Sequence, residues 1–574
     1  MLAMLIEFRK RLIVLLLALG VVAPGCQSVE QDGVAGGKSR PNIVFMVVED
    51  LSPRIGAFGD PIAVTPNLDQ VAGEGVRFIK VFTSAGVCAP SRAALITGMH
   101  QASIGAQNMR TSSFVWPGSN RRGYEAVPPP EVKAFPELMR AAGYFTINNS
   151  KTDYQIGNPF TVWDENGPDA TWKDRPSGAP FFAMYSLQLT HESALFLPGS
   201  VNTAGETSLP NSRAAEAGRN ALAKRTRPED VVVPPYYPDT RAVREEIARQ
   251  YDNVQLMDAW VGEQLKELRQ AGLLENTIVI WTTDHGDGLP RAKRSLYDSG
   301  LSVPMIIRFP DGHGAGTVDD QLVSFVDLAP TLLSLAGVDP PHWLQGRNIL
   351  DRKTPEPGYV FAARDRFDEV YIDRSRAARS KDFKYIRNDL PDVPFYGDIP
   401  YRDNLATMQE MRRQLGEGKL SPLQASYFAT PRPAEELYDL NADPDEINNL
   451  AGDARYADEK LKARSALDKW QADVADLGAM AERDMVERMW PGGVQPETAA
   501  PFIRTFTGAN GKTMVELHSL TGGASIGYRL NAGPRTLWSL YVRPFEVPAG
   551  ARIETKAIRY GYKESAVSGV VIPP

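Results

Sequence analysis

The chain has 574 residues and a formal net charge of −7, length enough for two or three domains, each with its own core. An acidic balance argues against a nucleic-acid partner, which would call for a basic face, and it leaves any anionic substrate to be captured by local positive charge.

Arg9, Lys10 and Arg11 precede an apolar stretch over residues 12–22 that is too short for a comfortable membrane span. Ala23, Pro24 and Gly25 then lead to Cys26. Segment 1–26 resembles a bacterial lipoprotein signal, which implies acylation of Cys26, a lipid anchor in a membrane, and export to the periplasm, outer membrane or cell surface. Residues 27–40, with Gly33, Gly36, Gly37 and Ser39, read as a polar linker.

Residues 41–48 form a continuous apolar run, the pattern of a strand buried on both faces of a parallel sheet, and end in Glu49-Asp50. Segments 144–148, 180–187 and 277–283 repeat the design and lead to Lys151, to Thr190-His191 and to Asp284-His285. In an open α/β sheet, ligands bind beyond the carboxyl ends of the strands, so these polar groups are predicted to converge. Cys88-Ala89-Pro90-Ser91-Arg92 opens a short helical run that stops at Gly98, with Pro90 in the first turn. That spacing puts Cys88 at a helix mouth, where unpaired N–H groups favour anions, and Arg92 one turn inside, where its guanidinium can grip the same anion. By itself this is a nucleophile-like residue at an anion-binding helix end; the plain alternative is a buried structural cysteine beside an exposed arginine. Residues 110–130 and 195–240, rich in Pro, Gly, Ser and Arg, read as long loops over the sheet. Ile247, Tyr251, Val254, Met257, Val261, Leu265 and Leu268 recur at helical spacing before Gly272, and Asp327 is placed to cap a helix over 328–333.

From Gly358 the pattern turns to short strands, at 358–362 and 383–386, followed by an amphipathic helix from 457 to about 477. After Trp490-Pro491-Gly492-Gly493 come alternating segments at 513–517, 524–530 and 552–558, the signature of a small β-sandwich. The expected division is therefore a catalytic α/β domain over 41–357, a C-terminal subdomain over 358–489 and an accessory module over 490–574. Trp538, Tyr541 and Tyr560 of that module suit either stacking on sugars or packing, and packing is the commoner use.

Cys88-Ala89-Pro90-Ser91-Arg92, continued by Ala94-Leu95-Ile96-Thr97-Gly98, is similar to the signature of the type I sulfatases, whose cysteine is oxidised to formylglycine. The order of motifs from Pro41 to about Leu450, including the run from Glu436 to Leu450, resembles bacterial heparan N-sulfatase-like members of that family. The resemblance implies an alkaline-phosphatase-like α/β fold, with a mixed sheet sandwiched by helices, a smaller antiparallel C-terminal subdomain and, in this chain, the appended β-sandwich. It implies a formylglycine-generating maturation enzyme as partner, and hydrolysis of sulfate esters or N-sulfo groups of sulfated carbohydrates. It also implies Ca²⁺ held by Glu49, Asp50, Asp284 and His285 around Cys88, with Glu49 standing where most relatives carry aspartate. Arg92, Lys151, His191 and Lys293 take the catalytic positions beside Cys88, with His191 as proton donor and Arg294 as rival to Lys293. Asp153 stands where many sulfatases carry histidine; with His100, Arg364, Asp365 and Arg366 it is a substrate-binding candidate. With Cys26 acylated and Cys88 converted, no disulfide is possible, since the chain has two cysteines. Two other readings fit the sequence: a phosphodiesterase or phosphonate monoester hydrolase of the same superfamily, and a non-catalytic glycan-binding surface protein using the C-terminal sandwich.

Overall fold

A computed structural model describes residues 40–109, 111, 123–197, 200, 210–367, 372–396, 399–533 and 536–573. The segment 1–26 with Cys26, nearly all of linker 27–40, and most of the first expected loop, 110 and 112–122, lie outside the described residues. No helix among the described residues is long and apolar enough to cross a membrane.

A nine-stranded mixed sheet carries the first part of the chain. Its strands are β1 (Asn42–Val48), β2 (Val76–Phe82), β3 (Phe145–Asn149), β4 (Glu165–Asn166), β5 (Phe181–Tyr185), β6 (Thr277–Thr283), β7 (Ser302–Arg308), β8 (Thr317–Asp319) and β9 (Val323–Ser324). The order is β4-β3-β5-β1-β6-β7-β2-β8, with β9 paired to β2. All seven residues of β1 are buried, because alternate side chains enter two different cores. Ile43, Phe45 and Val47 pack against the helices Cys88–Thr97, Phe135–Ala141 and Leu328–Leu335; Val44, Met46 and Val48 pack against Pro66–Glu74 and Arg241–Gln270. The expected mixed sheet between helical layers is thus present. β3, β5, β1 and β6 run parallel, so their carboxyl ends share one edge. β2 is antiparallel to β7, which is antiparallel to β6, and so β2 also ends at that edge.

Three local expectations are corrected. The second expected loop contains a twelve-residue helix, Pro210–Ala221, whose alanines favour helix and whose Arg219 donates to the Ala194 carbonyl and to Asn253 Oδ1, each at 2.8 Å. Asp327 does not cap the helix that follows it. Its carboxylate reaches back instead, accepting from the N–H groups of Ser324 and Arg347 at 2.8 Å each. The helix expected to run to about 477 spans Ala457–Asp473; beyond it Ala475 adopts φ 53°, and the Asp476 carboxylate accepts from Gly478 N–H at 2.8 Å.

A four-stranded antiparallel sheet follows, ordered β10 (Val360–Arg364), β11 (Ser375–Arg379), β12 (Phe383–Asn388), β13 (Glu435–Asp439). Helix Ala457–Asp473 covers it through Ala463, Leu467 and Trp470. The last part is the expected sandwich. β14 (Phe502–Thr507), β15 (Thr513–His518) and β18 (Phe545–Glu546) form one sheet; β16 (Ser525–Leu530), β17 (Ser539–Leu540), β19 (Arg552–Ile558) and β20 (Ser568–Val571) form the other, around Val515, Leu517, Ile553 and Ala557.

Tyr560 is fully buried, and its hydroxyl donates to Glu137 Oε2 at 2.7 Å and accepts from Ala134 N–H at 3.2 Å, tying the module to helix Phe135–Ala141. Packing, not sugar stacking, is its use. Tyr560→Phe leaves a buried N–H short of its partner and is expected to destabilise the protein by about 1–3 kcal/mol, read as a lower urea midpoint; an unchanged midpoint contradicts the tie.

Candidate active site

The polar groups after the parallel strands do converge. Helix Cys88–Thr97 begins at Cys88 itself, after Val87 in extended conformation, and closes at Gly98 with φ 65°. The loop before it fits because residue 86 has no side chain: a Cβ at Gly86 would lie 2.3 Å from the Ser295 carbonyl oxygen. This close approach brings the turn that carries Lys293 against the helix mouth. Arg291 pins the far side of that turn, donating to the Asp445 and Glu446 carbonyls at 3.1 and 2.6 Å.

Cys88 is fully buried among polar partners. Its Sγ lies 3.4 Å from His285 Nε2, 3.4 Å from Lys293 Nζ and 3.9 Å from Asp50 Oδ1. Lys293 Nζ also donates to Asp50 Oδ2 at 2.6 Å and sits 3.3 Å from His191 Nε2. Arg294, next in sequence, turns the other way with φ 71° and makes a paired contact to Glu192 at 2.8 and 2.9 Å. The two neighbours thus part: Lys293 faces Cys88, and Arg294 braces Glu192. Removing one member of such a buried pair costs about 3–5 kcal/mol.

Asp50, two residues beyond β1, has φ 48°, and its two oxygens meet His285 Nε2 at 3.0 Å, Lys293, and the Glu192 N–H at 2.8 Å. Glu49 is engaged at both oxygens, by Arg92 and by Lys151. Arg92 Nε lies 3.4 Å from Asp284 Oδ2, and its Nη1 donates to Ser186 Oγ at 3.2 Å. Asp153, with φ 52°, is 3.5 Å from Lys151 Nζ. Asp284 is held by its backbone as well: its carbonyl accepts from Ser91 Oγ at 2.6 Å, and Ser91 Oγ accepts from Thr83 at 2.6 Å.

Electrostatics sort these groups. Burial would raise the Asp50 carboxyl, but Lys293, then His285, outweigh it and hold Asp50 well below the ordinary carboxylate range. Burial opposes charge on Lys293, yet Asp50, Cys88 and Glu192 keep its pKa well above the usual value. Burial, then Lys293, pushes His191 down to about 3, so its imidazole is neutral. His285 goes the other way: Asp284 and Asp50 overcome burial and raise it well above the usual value. Its Nδ1 lies 2.9 Å from the Gly286 carbonyl, which only accepts, so Nδ1 carries a proton.

Asp50, Cys88, Asp284 and His285 each offer a ligand atom, and these atoms lie within 4.8 Å of one another; Glu49, Asp50, Cys88 and His191 form a second such group. Asp284 Oδ2 is buried without a hydrogen bond. A fixed imidazole facing carboxylates, one of them with an orphaned oxygen, fits a divalent cation.

Four other sequence candidates lie elsewhere. His100 packs edge-on to Trp470, ring centroids 5.1 Å apart, and burial lowers its pKa to about 4. Arg364 pairs with Asp373 at 3.0 Å, Asp365 with Arg376 at 3.0 Å, and Arg366 makes two contacts of 2.8 Å to Glu482. Glu192, which links Arg294 and Lys293 to the Asp50 carboxylate, was not singled out from sequence. Its signal was its place directly after His191.

The sulfatase family profile matches residues 41–338, and a profile described as N-sulphoglucosamine sulphohydrolase, C-terminal, matches residues 291–387. An ulvan-active sulfatase of Formosa agariphila is 42% identical over 548 residues, covering 92% of this chain and 90% of that protein. The N-sulphoglucosamine sulphohydrolase of Homo sapiens is 27% identical over 493 residues, covering 80% and 95%. The solved structure of BT4656 in complex with its substrate D-glucosamine-2-N,6-O-disulfate has a TM-score of 0.52 at 20% identity, covering 76% of this chain and 98% of that one, a likeness of fold.

Proposed function

Because this chain belongs to the sulfatase family and is on that ground a sulfuric ester hydrolase, we propose that it releases inorganic sulfate from the sulfate esters or N-sulfo groups of a sulfated carbohydrate, with Cys88 as the reacting residue. The observation that carries this reading is the contact of Cys88 Sγ with Lys293 and His285 at a helix mouth, beside Arg92 and Lys151. The names of the ulvan-active and N-sulphoglucosamine relatives support a sulfated sugar as substrate.

In this reading a maturation enzyme carrying its own oxidant would take two electrons from the Cys88 side chain and release its sulfur as sulfide, leaving an aldehyde; of the two hydroxyls of its hydrate, one would attack sulfur as the bond from sulfur to the sugar oxygen or nitrogen breaks, and the other would lose its proton to re-form the aldehyde as the carbon–oxygen bond to sulfate breaks. Asp50, Asp284 and His285, with Glu49 beside them, would hold Ca²⁺, whose chemistry there is to draw charge from the sulfate oxygens. Arg92, Lys151 and Lys293 bring fixed positive charge to the anion, and Glu49 orients the first two. His191 and Lys293, 3.3 Å apart, serve the departing oxygen or nitrogen. With His191 neutral, the proton held by the pair resides on Lys293. Glu192 and Arg294 position Lys293 rather than touching substrate. Asp153, at the edge of this group, is in place to read the substrate.

The chain divides, in this reading, into a catalytic domain over 41–357, a subdomain over 358–489 and an accessory module over 490–574. Segment 1–26 directs export, and a lipid on Cys26 anchors the protein at a membrane surface, with 27–40 as tether.

Mature protein is expected to hydrolyse an aryl sulfate faster than the matching aryl phosphate, compared as kcat/KM at saturating Ca²⁺, and to release free sulfate from a panel of sulfated saccharides. A preference for the phosphate ester would overturn the sulfatase reading in favour of phosphoryl transfer. Glycan binding by fully matured protein, without any sulfate release, would favour a lectin.

A further inference from the structure

A cavity of about 500 Å³ lies where the ends of β10 and β11 meet residues 478–483. That volume is in the range of a small-molecule site. Ile372, Leu390 and Met480 give it apolar wall, and Gln107, Asn108 and Asp365 give it polar groups. Two of these are incomplete: Asp365 Oδ1 is taken by Arg376, while Asp365 Oδ2 and Gln107 Oε1 are buried acceptors with no hydrogen bond. Both residues are at least nine-tenths buried. An unmet buried acceptor is costly, and a ligand hydroxyl is the group that satisfies it. Burial raises the Asp365 carboxyl to about 6, in keeping with an oxygen short of donors.

The cavity is joined to the Cys88 centre by the chain itself. Met109 N–H donates to the Arg366 carbonyl at 2.9 Å, and Met109 and Phe367, the residues after Asn108 and Arg366, share one buried cluster with Cys88. The guanidiniums nearest the floor are already committed, Arg366 to Glu482 and Arg376 to Asp365 and Asp476. Arg374 on the wall is tied to Asp389, and Arg483 is exposed at the rim. A sulfate in the floor would meet carboxylates, whereas a sugar ring offers hydroxyl donors on its edge and C–H groups on its face.

We propose that this cavity is a saccharide subsite, which takes an unsulfated, hydroxyl-donating ring of the chain whose sulfate is held at Cys88, with Asp365 and Gln107 as its recognition groups. The assignment rests on the sulfatase reading above and gives Asp365 a more definite role than its neighbours Arg364 and Arg366, whose side chains serve to brace the cavity.

The test compares kcat/KM on sulfated oligosaccharides of the ulvan, heparan and carrageenan types with kcat/KM on an aryl sulfate too small to reach the cavity. In Asp365→Asn and Gln107→Ala, the ratio of saccharide to aryl sulfate activity is expected to fall on the order of 10- to 100-fold. Ala479→Trp, at an exposed lining position that tolerates bulk, should lower the same ratio by filling the space, which keeps the test open if a buried variant folds poorly. An unchanged ratio in Ala479→Trp, or a wild type that turns over aryl sulfate but none of the saccharides, overturns the subsite. A wild type inactive on aryl sulfate after confirmed maturation overturns the sulfatase reading instead.

Discussion

Cys88→Ala is expected to lower sulfate release by on the order of 10⁴-fold or more, the scale seen when the nucleophile of a catalytic group is removed. Nothing else among the described residues can replace it: the side chains around Cys88 Sγ are a lysine, a histidine and an aspartate already paired with one another. The fold should survive, because the apolar side of Cys88, formed by Ala85, Val87, Ala89, Met109 and Phe367, loses a single sulfur atom. A melting temperature close to wild type, together with lost turnover, is therefore the expected pair of results. Retained turnover would mean that the sulfur-bearing carbon is not where the reaction occurs.

The second large effect is expected from Asp284→Asn. Asp284 joins three features: its Oδ2 is buried without a hydrogen bond, its Oδ1 accepts the Asp50 N–H at 3.0 Å, and its carbonyl accepts from Ser91 at the helix mouth. Asparagine keeps the shape and can keep the Asp50 contact, but it removes a charge from the group facing His285 and puts a donor or a neutral oxygen where a cation would bind. Activity is expected to fall at least about 100-fold, with divalent metal lost from the purified protein in elemental analysis. Wild-type protein stripped by a chelator should show the same loss and recover with added Ca²⁺. A variant that keeps both its metal and its turnover would remove Asp284 from the metal shell.

Much of this arrangement was legible in the amino-acid order, and the reason is geometric. β1, β5 and β6 lie in the middle of a sheet covered on both faces, so burial demands continuous apolar runs, and such runs announce both the strand and the position of the polar group that ends it. β2 was missed because it lies nearer the sheet margin and carries Arg77, Ile79 and Lys80 at half-buried or exposed positions, which breaks the run. The resemblance prefers Lys293 to its rival Arg294 for the position beside Cys88, but nothing in their order separates the two physically. That choice is made by φ 71° at Arg294 and by Glu192 waiting on the other side. Glu49 shows the same limit. The family resemblance marks it as a metal ligand, but the paired hold of Arg92 and Lys151 on its carboxylate depends on helix Cys88–Thr97 and the segments after β1 and β3 meeting in space. The helix Pro210–Ala221 was hidden by proline and serine in the surrounding sequence, although its own alanines favour helix. The resemblance marks Asp365 and Arg366 as substrate-binding candidates, but nothing local shows that separate stretches near 107, 365–390 and 478–483 enclose one cavity.

The proposed chemistry depends on the chemical state of Cys88. Protein isolated from the organism that makes it, digested and analysed by mass spectrometry, should show the peptide around Cys88 with its sulfur replaced by a carbonyl oxygen, in the same preparation that liberates sulfate. An intact thiol in every copy of that peptide, alongside undiminished sulfate release, would contradict it.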